Sequence, residues 1–153
     1  LVGSCSALSK GLVAKLPVKQ HKTKTTNRYF NYIYVRAGAY TFINKRTADD
    51  IWKNLFELPL IETSSSLPEE EFLALPEFQT LFAPGEQPVV RPVCREVKHI
   101  LSHRVIYANF YEVILPEGTA SFGKFQKIKA EELERYAVSR LVHAFIEKYI
   151  GLK

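Results

Sequence analysis

The sequence predicts a mixed α/β (α+β) domain, in which a β-sheet is flanked by helices. A run of β-branched and aromatic residues at Tyr29–Val35 predicts a strand. Two apolar runs on either side of Ser102-His103 predict a long hairpin, and apolar residues after Ser139 recur at helical spacing. With 153 residues, 46% of them hydrophobic, the chain is long enough to bury one core and is typical of a folded domain.

The elements follow in order along the chain. The first predicted element is a hairpin of two strands, Tyr29–Val35 and Ala39–Asn44, joined by a tight turn at Ala37-Gly38. In the first strand, even- and odd-numbered residues are expected to face opposite sides of the sheet. Pro68, followed by three glutamates, predicts a short helix, because acids suit the first turn. The other predicted elements are a helix from Pro76 through Phe82, strands Val97–Leu101, Val105–Leu115 and Phe125–Ile128, a helical turn at Glu131–Arg135, and a last helix capped by Ser139.

Charge is distributed unevenly along the chain, whose net charge is +5. Residues 1–46 hold nine Lys and Arg and no acids, residues 47–88 hold nine acids and one Lys, and residues 89–153 hold eleven bases and seven acids. An acid-free basic stretch suits phosphate binding, and a solvated linker is the alternative interpretation. No apolar run approaches the ~18 residues of a transmembrane helix.

Residue types for catalysis or metal binding are sparse. Three consecutive glutamates at Glu69–Glu71 are typical of a solvated helix start rather than of a paired-carboxylate site. His99 and His103 are four residues apart, but they lie in a strand-like context with no third ligand nearby, so zinc is not predicted. The two cysteines are too few for a four-cysteine metal site; we expect Cys5 to be a free thiol and Cys94 a core or strand residue.

The predicted turn Ser102-His103 between two apolar strands contains no Gly, Pro, Asn or Asp, which turns usually favour. A hydroxyl and an imidazole offer donors and acceptors that suit a base edge or a phosphate. An ordinary polar hairpin tip is an equal alternative at this point.

Four segments resemble one family. Trp52–Pro59, W-K-N-L-F-E-L-P, resembles the W-x-x-L-(W/Y/F)-E-(F/L)-P segment of Nudix-like domains. Val97–His103 resembles the (K/E)-H-x-(F/L)-S-H signature in the C-terminal domain of MutY-type adenine DNA glycosylases. Pro17-Val18-Lys19 resembles the linker entering that domain, and Leu1–Cys5 the end of the family's C-x6-C-x2-C-x5-C iron–sulfur motif.

The resemblance implies a division into residues 1–8, a remnant of the iron–sulfur loop, residues 9–27, an interdomain linker, and residues 28–153, a Nudix-like C-terminal domain. Cys5 would be the fourth cysteine of a 4Fe-4S cluster in the full-length protein, and this part alone would hold no cofactor, since the cluster takes four cysteines. The family's catalytic Glu and Asp belong to the N-terminal domain, so no catalytic residue is expected here.

The family excises adenine mispaired with 8-oxoguanine after flipping it out of the duplex. By resemblance Ser102 contacts the lesion base, His103 supports the tip or approaches the backbone, and Leu101 replaces the family's Phe as an apolar wedge. Lys98 and Arg104 are expected on phosphates. The implied partners are double-stranded DNA with an 8-oxoguanine:adenine mispair and the N-terminal catalytic domain of the same protein, in the bacterial cytoplasm and not at a membrane.

The Nudix hydrolase motif, G-x5-E-x7-R-E-U-x-E-E-x-G-U, is missing. None of the seven glycines has a glutamate six residues later, and after Pro59 the chain reads L-I-E-T-S-S-S. We therefore expect a Nudix-like fold without a functional Nudix box and without pyrophosphatase activity. A Nudix-type nucleoside diphosphate hydrolase, and a protein-docking module using the acidic segment 62–86, are the alternative functions.

Overall fold

The computed structural model describes residues 26–82 and 88–150. Its strands are β1 Thr26–Ala37, β2 Tyr40–Lys45, β3 Phe56–Glu57, β4 Leu60–Thr63, β5 Val89–Ile100, β6 Arg104–Leu115 and β7 Gln126–Lys129. Its helices are α1 Glu69–Leu73, α2 Pro76–Gln79, a 3₁₀ helix Ala130–Arg135, and α3 Arg140–Phe145, which continues as a π-helix Ile146–Ile150. The mixed α+β class predicted from the sequence is confirmed.

The strands form one seven-stranded sheet in the order β3-β2-β1-β6-β5, with β4 paired to β1 and β7 to β2. β1 and β6 lie parallel along their whole length, from Thr26 opposite Arg104 to Ala37 opposite Leu115. The β5–β6 and β1–β2 pairs are antiparallel hairpins, as predicted. Parallel pairing of β1 and β6 brings the start of β1 beside the β5–β6 turn. The start of β1, the end of β5 and the start of β6 therefore lie together at one end of the sheet.

Alternation along the strands divides the core between the two faces of the sheet. One set, here called the C-terminal cluster, packs under α3 and includes Phe30, Tyr32, Tyr34, Phe110, Leu141 and Phe145. The other set, the short-helix cluster, packs under α1 and α2 and includes Ile33, Val35, Phe72, Phe78, Tyr111 and Phe122. The predicted separation of even and odd residues in β1 is confirmed.

Several predicted boundaries differ from the structure. β5 begins at Val89, eight residues before the predicted Val97, and bulges near Cys94 and Glu96 interrupt the alternation that would have revealed it. α2 ends at Gln79 rather than Phe82. Ser139 caps α3 as predicted, because its Oγ accepts a hydrogen bond from the Val142 amide at 3.2 Å. Within the described part of the chain, no helix is long and apolar enough to cross a membrane.

Candidate nucleic-acid interface

The β5–β6 turn is a tight loop of the three residues 101–103 at the end of the sheet. The Leu101 amide donates to the Arg104 carbonyl at 2.8 Å and closes the turn around Ser102 and His103. The Thr26 amide at the start of β1 donates to the His103 carbonyl at 3.1 Å. These two bonds hold the turn from both sides, so its backbone is fixed by the sheet rather than by turn residues such as glycine.

The side chains of Ser102 and His103 are exposed at this tip. Within the described residues neither side chain has a hydrogen-bond partner, so both keep their donors and acceptors for an external group. Leu101 is half-buried and packs against the C-terminal cluster. The Leu101 side chain therefore packs toward the core at the base of the turn. Insertion of this side chain into a duplex would require it to leave the C-terminal cluster.

A row of half-exposed side chains crosses three strands beside the tip. Lys98 of β5 lies opposite Tyr107 of β6, which lies opposite Tyr29 of β1. The two tyrosine rings stack with centroids 5.4 Å apart, and the Lys98 Nζ lies 5.9 Å from the Tyr107 ring centroid. We call these three residues the tyrosine row. Ser102 in the turn and Arg104 at the start of β6 lie at the same end of the sheet, with Arg104 on the opposite face from Tyr107 because the two are three positions apart in the strand.

A chain of buried amides lies next to the tyrosine row on the same sheet face. Asn109 accepts a hydrogen bond from the Glu96 amide at 2.7 Å and donates to the Asn31 Oδ1 at 3.1 Å. Asn31 in turn donates to the Ile61 carbonyl at 2.9 Å and to the Thr63 hydroxyl at 3.1 Å. The chain links β5, β6, β1 and β4, and it anchors the β5 bulge, where Glu96 has a positive φ of 54°. The bulge sets the register that directs Lys98 toward Tyr107.

The two histidines of the tip strand are not brought together. His103 is exposed, whereas His99 is buried with its ring centroid 5.9 Å from that of Trp52. Burial, with a smaller contribution from the Arg140 charge, lowers the pKa of His99, and its Nδ1 has no hydrogen-bond partner. In residues 26–82 and 88–150, no cluster of three or more His, Cys, Asp or Glu is placed to hold a metal ion.

The segment that resembles the Nudix W-x-x-L-F-E-L-P pattern has a structural role here. The Glu57 carboxylate accepts hydrogen bonds from Arg46 at 3.0 Å and Asn44 at 3.1 Å, which joins β3 to the end of β2. Asp50 bridges Arg46 and Arg28, and the Arg28 guanidinium holds the pKa of Asp50 well below its ordinary value. Burial raises the pKa of Glu57 despite Arg46. This network holds the loop between β2 and β3, from which Trp52 packs against the C-terminal cluster.

The cysteines do not form a cluster site. Cys94 is buried in β5, as predicted for a core or strand residue. The prediction that Cys5 is a free thiol concerns a residue outside the described ranges. The two cysteines of the chain do not supply the four thiolates that a 4Fe-4S cluster takes.

Comparison with known proteins places the chain in a family. The model of the NUDIX domain matches residues 31–148, which is most of the chain, so the chain belongs to the NUDIX domain family. Among curated proteins, none matches the sequence. The family agrees with the mixed sheet between two helical layers and with the predicted Nudix-like fold.

Three solved structures are similar in fold. The C-terminal domain of mouse MUTYH, solved in complex with human PCNA, matches with a TM-score of 0.60 at 17% identity, covering 81% of this chain and 88% of that one. The E. coli ORF135 protein matches with a TM-score of 0.53 at 16% identity, covering 80% and 90%. The Nudix hydrolase RenU from M. smegmatis matches with a TM-score of 0.51 at 12% identity, covering 84% of each chain. At these identities the likeness concerns the fold alone.

Proposed function

We propose that this chain is the lesion-recognition domain of a MutY-type adenine DNA glycosylase, which contacts 8-oxoguanine in mispairs with adenine. The proposal rests on the geometry of the β5–β6 turn. Ser102 and His103 are exposed, lack intramolecular partners among the described residues, and sit on a backbone held from two sides by β1 and β6. A rigid loop with free donors and acceptors suits readout of a base edge.

The Ser102 hydroxyl supplies the discrimination. 8-Oxoguanine has a protonated N7 and a carbonyl at C8, whereas guanine has a bare N7 acceptor. One hydroxyl can accept from N7–H and donate to O8, and this pair of bonds cannot form with guanine. A contact of this kind is worth ~1–3 kcal/mol of preference.

The groups beside the tip suit the DNA backbone. Lys98 and Arg104 are cationic, and the hydroxyls of Tyr107 and Tyr29 have no partners within the described residues, so all four can donate to phosphate oxygens. Thr26 begins β1 at the tip, and it lies within the acid-free basic stretch of residues 1–46. Tyr29 and Tyr107 extend the predicted contact set, which contained only Lys98, Leu101, Ser102, His103 and Arg104.

The hydrolase alternative is disfavoured by the missing Nudix box. The glutamates of α1 occupy the first turn of a five-residue helix with no metal-binding cluster among the described residues, and only Phe72 of that helix is buried. The mouse MUTYH domain and the hydrolase RenU share this fold, so the preference for recognition rests on the missing box rather than on the fold. The 4Fe-4S cluster, the catalytic domain and the cytoplasmic location belong to the same proposal.

A protein-docking role is the second candidate. The mouse MUTYH domain was solved with human PCNA, and the acidic side chains of α1 are largely exposed here. A partner that remains bound at high salt after nuclease treatment would favour docking. A partner released by nuclease would favour DNA.

The test is fluorescence anisotropy with duplexes carrying 8-oxoguanine:A, G:A or G:C at one stated salt concentration. We expect Ser102→Ala to lose the preference for 8-oxoguanine while its affinity for G:C is unchanged. Ser121→Ala, an exposed serine beyond the other end of β6, is the matched control and should bind like the wild type. Lys98→Gln should weaken all three duplexes alike and reduce the salt slope by about 1. Equal binding of the three duplexes by the wild-type chain would contradict the proposal.

A further inference from the structure

A second cluster of charged side chains lies at the other end of β6, on the opposite sheet face from the tyrosine row. Glu112 is buried, with only 1% of its side chain exposed, and lies opposite Tyr34 of β1 and Arg91 of β5. Arg91 Nε donates to Glu112 Oε1 at 2.6 Å, and Arg36 Nη1 donates to Oε2 at 3.1 Å. Both carboxylate oxygens are therefore occupied by arginines.

The two guanidinium groups remain largely accessible. Arg36 is 52% exposed and Arg91 is 59% exposed, although each is held by the same buried carboxylate. One arginine is enough to neutralise Glu112, so the pair leaves an excess of one positive charge. Since a guanidinium has five N–H donors, each arginine keeps donors that Glu112 does not use.

Tyr149 of the π-helix completes the site. Its hydroxyl accepts from Arg91 Nη2 at 3.0 Å, and its ring stacks on Phe145 at 5.3 Å. Arg91 is thereby fixed at two points, by Glu112 and by Tyr149. A cleft of about 310 Å³ opens between Tyr34, Arg36, Glu112 and Tyr149. This volume is at the lower end of the range for small-molecule sites, which suits a compact ligand.

From this arrangement we propose that the cleft binds a phosphoryl group. Its ligands are Arg36, which lines the cleft, and Arg91, which is hydrogen-bonded to the lining residues Glu112 and Tyr149. Glu112 positions both guanidinium groups. Guanidinium groups recognise phosphate through paired charge-assisted hydrogen bonds, and pre-organised arginines lose less side-chain freedom on binding. The site is separated from the tip by about eight residues of β6, or roughly 26 Å, and lies on the other face of the sheet. It is therefore independent of the proposed lesion contact.

The test is an NMR titration of the chain with inorganic phosphate in chloride buffer, following the arginine Nε–H signals. We expect saturable shifts of Arg36 and Arg91. Arg36→Gln should weaken phosphate binding by roughly tenfold or more, since it removes one charge-assisted hydrogen-bond donor while Arg91 still neutralises Glu112. Arg135→Gln is the matched control, because Arg135 is exposed and lies outside the cleft. It should bind like the wild type.

Two further ligands distinguish the source of the phosphoryl group. If Arg36→Gln weakens binding of a nucleoside monophosphate but not of a short duplex, the site takes a small phosphate ester. If it weakens duplex binding as well, the site takes a backbone phosphate. Equal phosphate affinity of wild type and Arg36→Gln, or an equal loss in Arg135→Gln, would overturn the proposal.

Discussion

Asn109 offers the most informative test of how the fold holds the candidate interface. Asn109→Ala removes the acceptor of the part-buried Glu96 amide and the donor to the buried Asn31 side chain, and leaves both groups without that partner. At ~1–3 kcal/mol for each of the two unsatisfied groups, the expected loss is ~2–6 kcal/mol, a large part of the stability of an ordinary domain. The same change releases the β5 bulge, so amide exchange near Lys98 should rise.

The assay is urea unfolding followed by the fluorescence of Trp52, the single tryptophan. Asn27→Ala, at an exposed asparagine of β1, is the control and should change stability by no more than about 0.5 kcal/mol. The double variant of Asn31→Ala and Asn109→Ala should cost less than the sum of the single changes, because both remove the same hydrogen bond. An Asn109→Ala cost no larger than that of Asn27→Ala, or strictly additive costs, would refute the reasoning.

Two further predictions concern stability. His99 has a folded pKa below its ordinary 6.5, so the unfolded chain binds a proton first and stability falls as the pH drops from about 6.5 toward the folded pKa. In His99→Phe the free energy of unfolding, measured by urea at about pH 7.5 and about pH 5.5, should change less between the two pH values than in the wild type. An equal change would mean that another group causes the pH dependence. Gly38→Ala should lower the melting temperature by about 2–4 °C, because Gly38 has a φ of +64° and a new Cβ would meet the Glu117 side chain. Gly118→Ala, with nothing within 4 Å of its Cβ position, is the control, and an equal loss there would contradict the steric argument.

Local patterns were sufficient to predict most elements of the fold. The alternation in Tyr29–Val35, the turn at Gly38 and the cap at Ser139 are each decided by residues adjacent in sequence, and the structure confirms them. The start of β5 was missed because two bulges break its period-two pattern, and one of them depends on a hydrogen bond from Glu96 to Asn109, thirteen residues away. A bulge held by a distant side chain leaves no local signal.

The candidate interface was predicted only in part. The tip residues Ser102 and His103 stood out because their turn lacks the usual turn residues, but Tyr29 and Tyr107 did not, since they are seventy-eight positions apart in the chain. The parallel pairing of β1 with β6 brings them into contact. The pairing of Arg36 and Arg91 on Glu112 was missed for the same reason, because the three residues lie on three different strands.

The sequence by itself determined the class of fold, the two hairpins, the polar tip at Ser102-His103 and the absence of the Nudix box, because each depends on residue types at short spacing. Tertiary structure alone decided which strand lies beside β6, which side chains line the tip and which polar groups are buried. Those outcomes depend on strand order and register, which arise from packing both faces of the sheet at once.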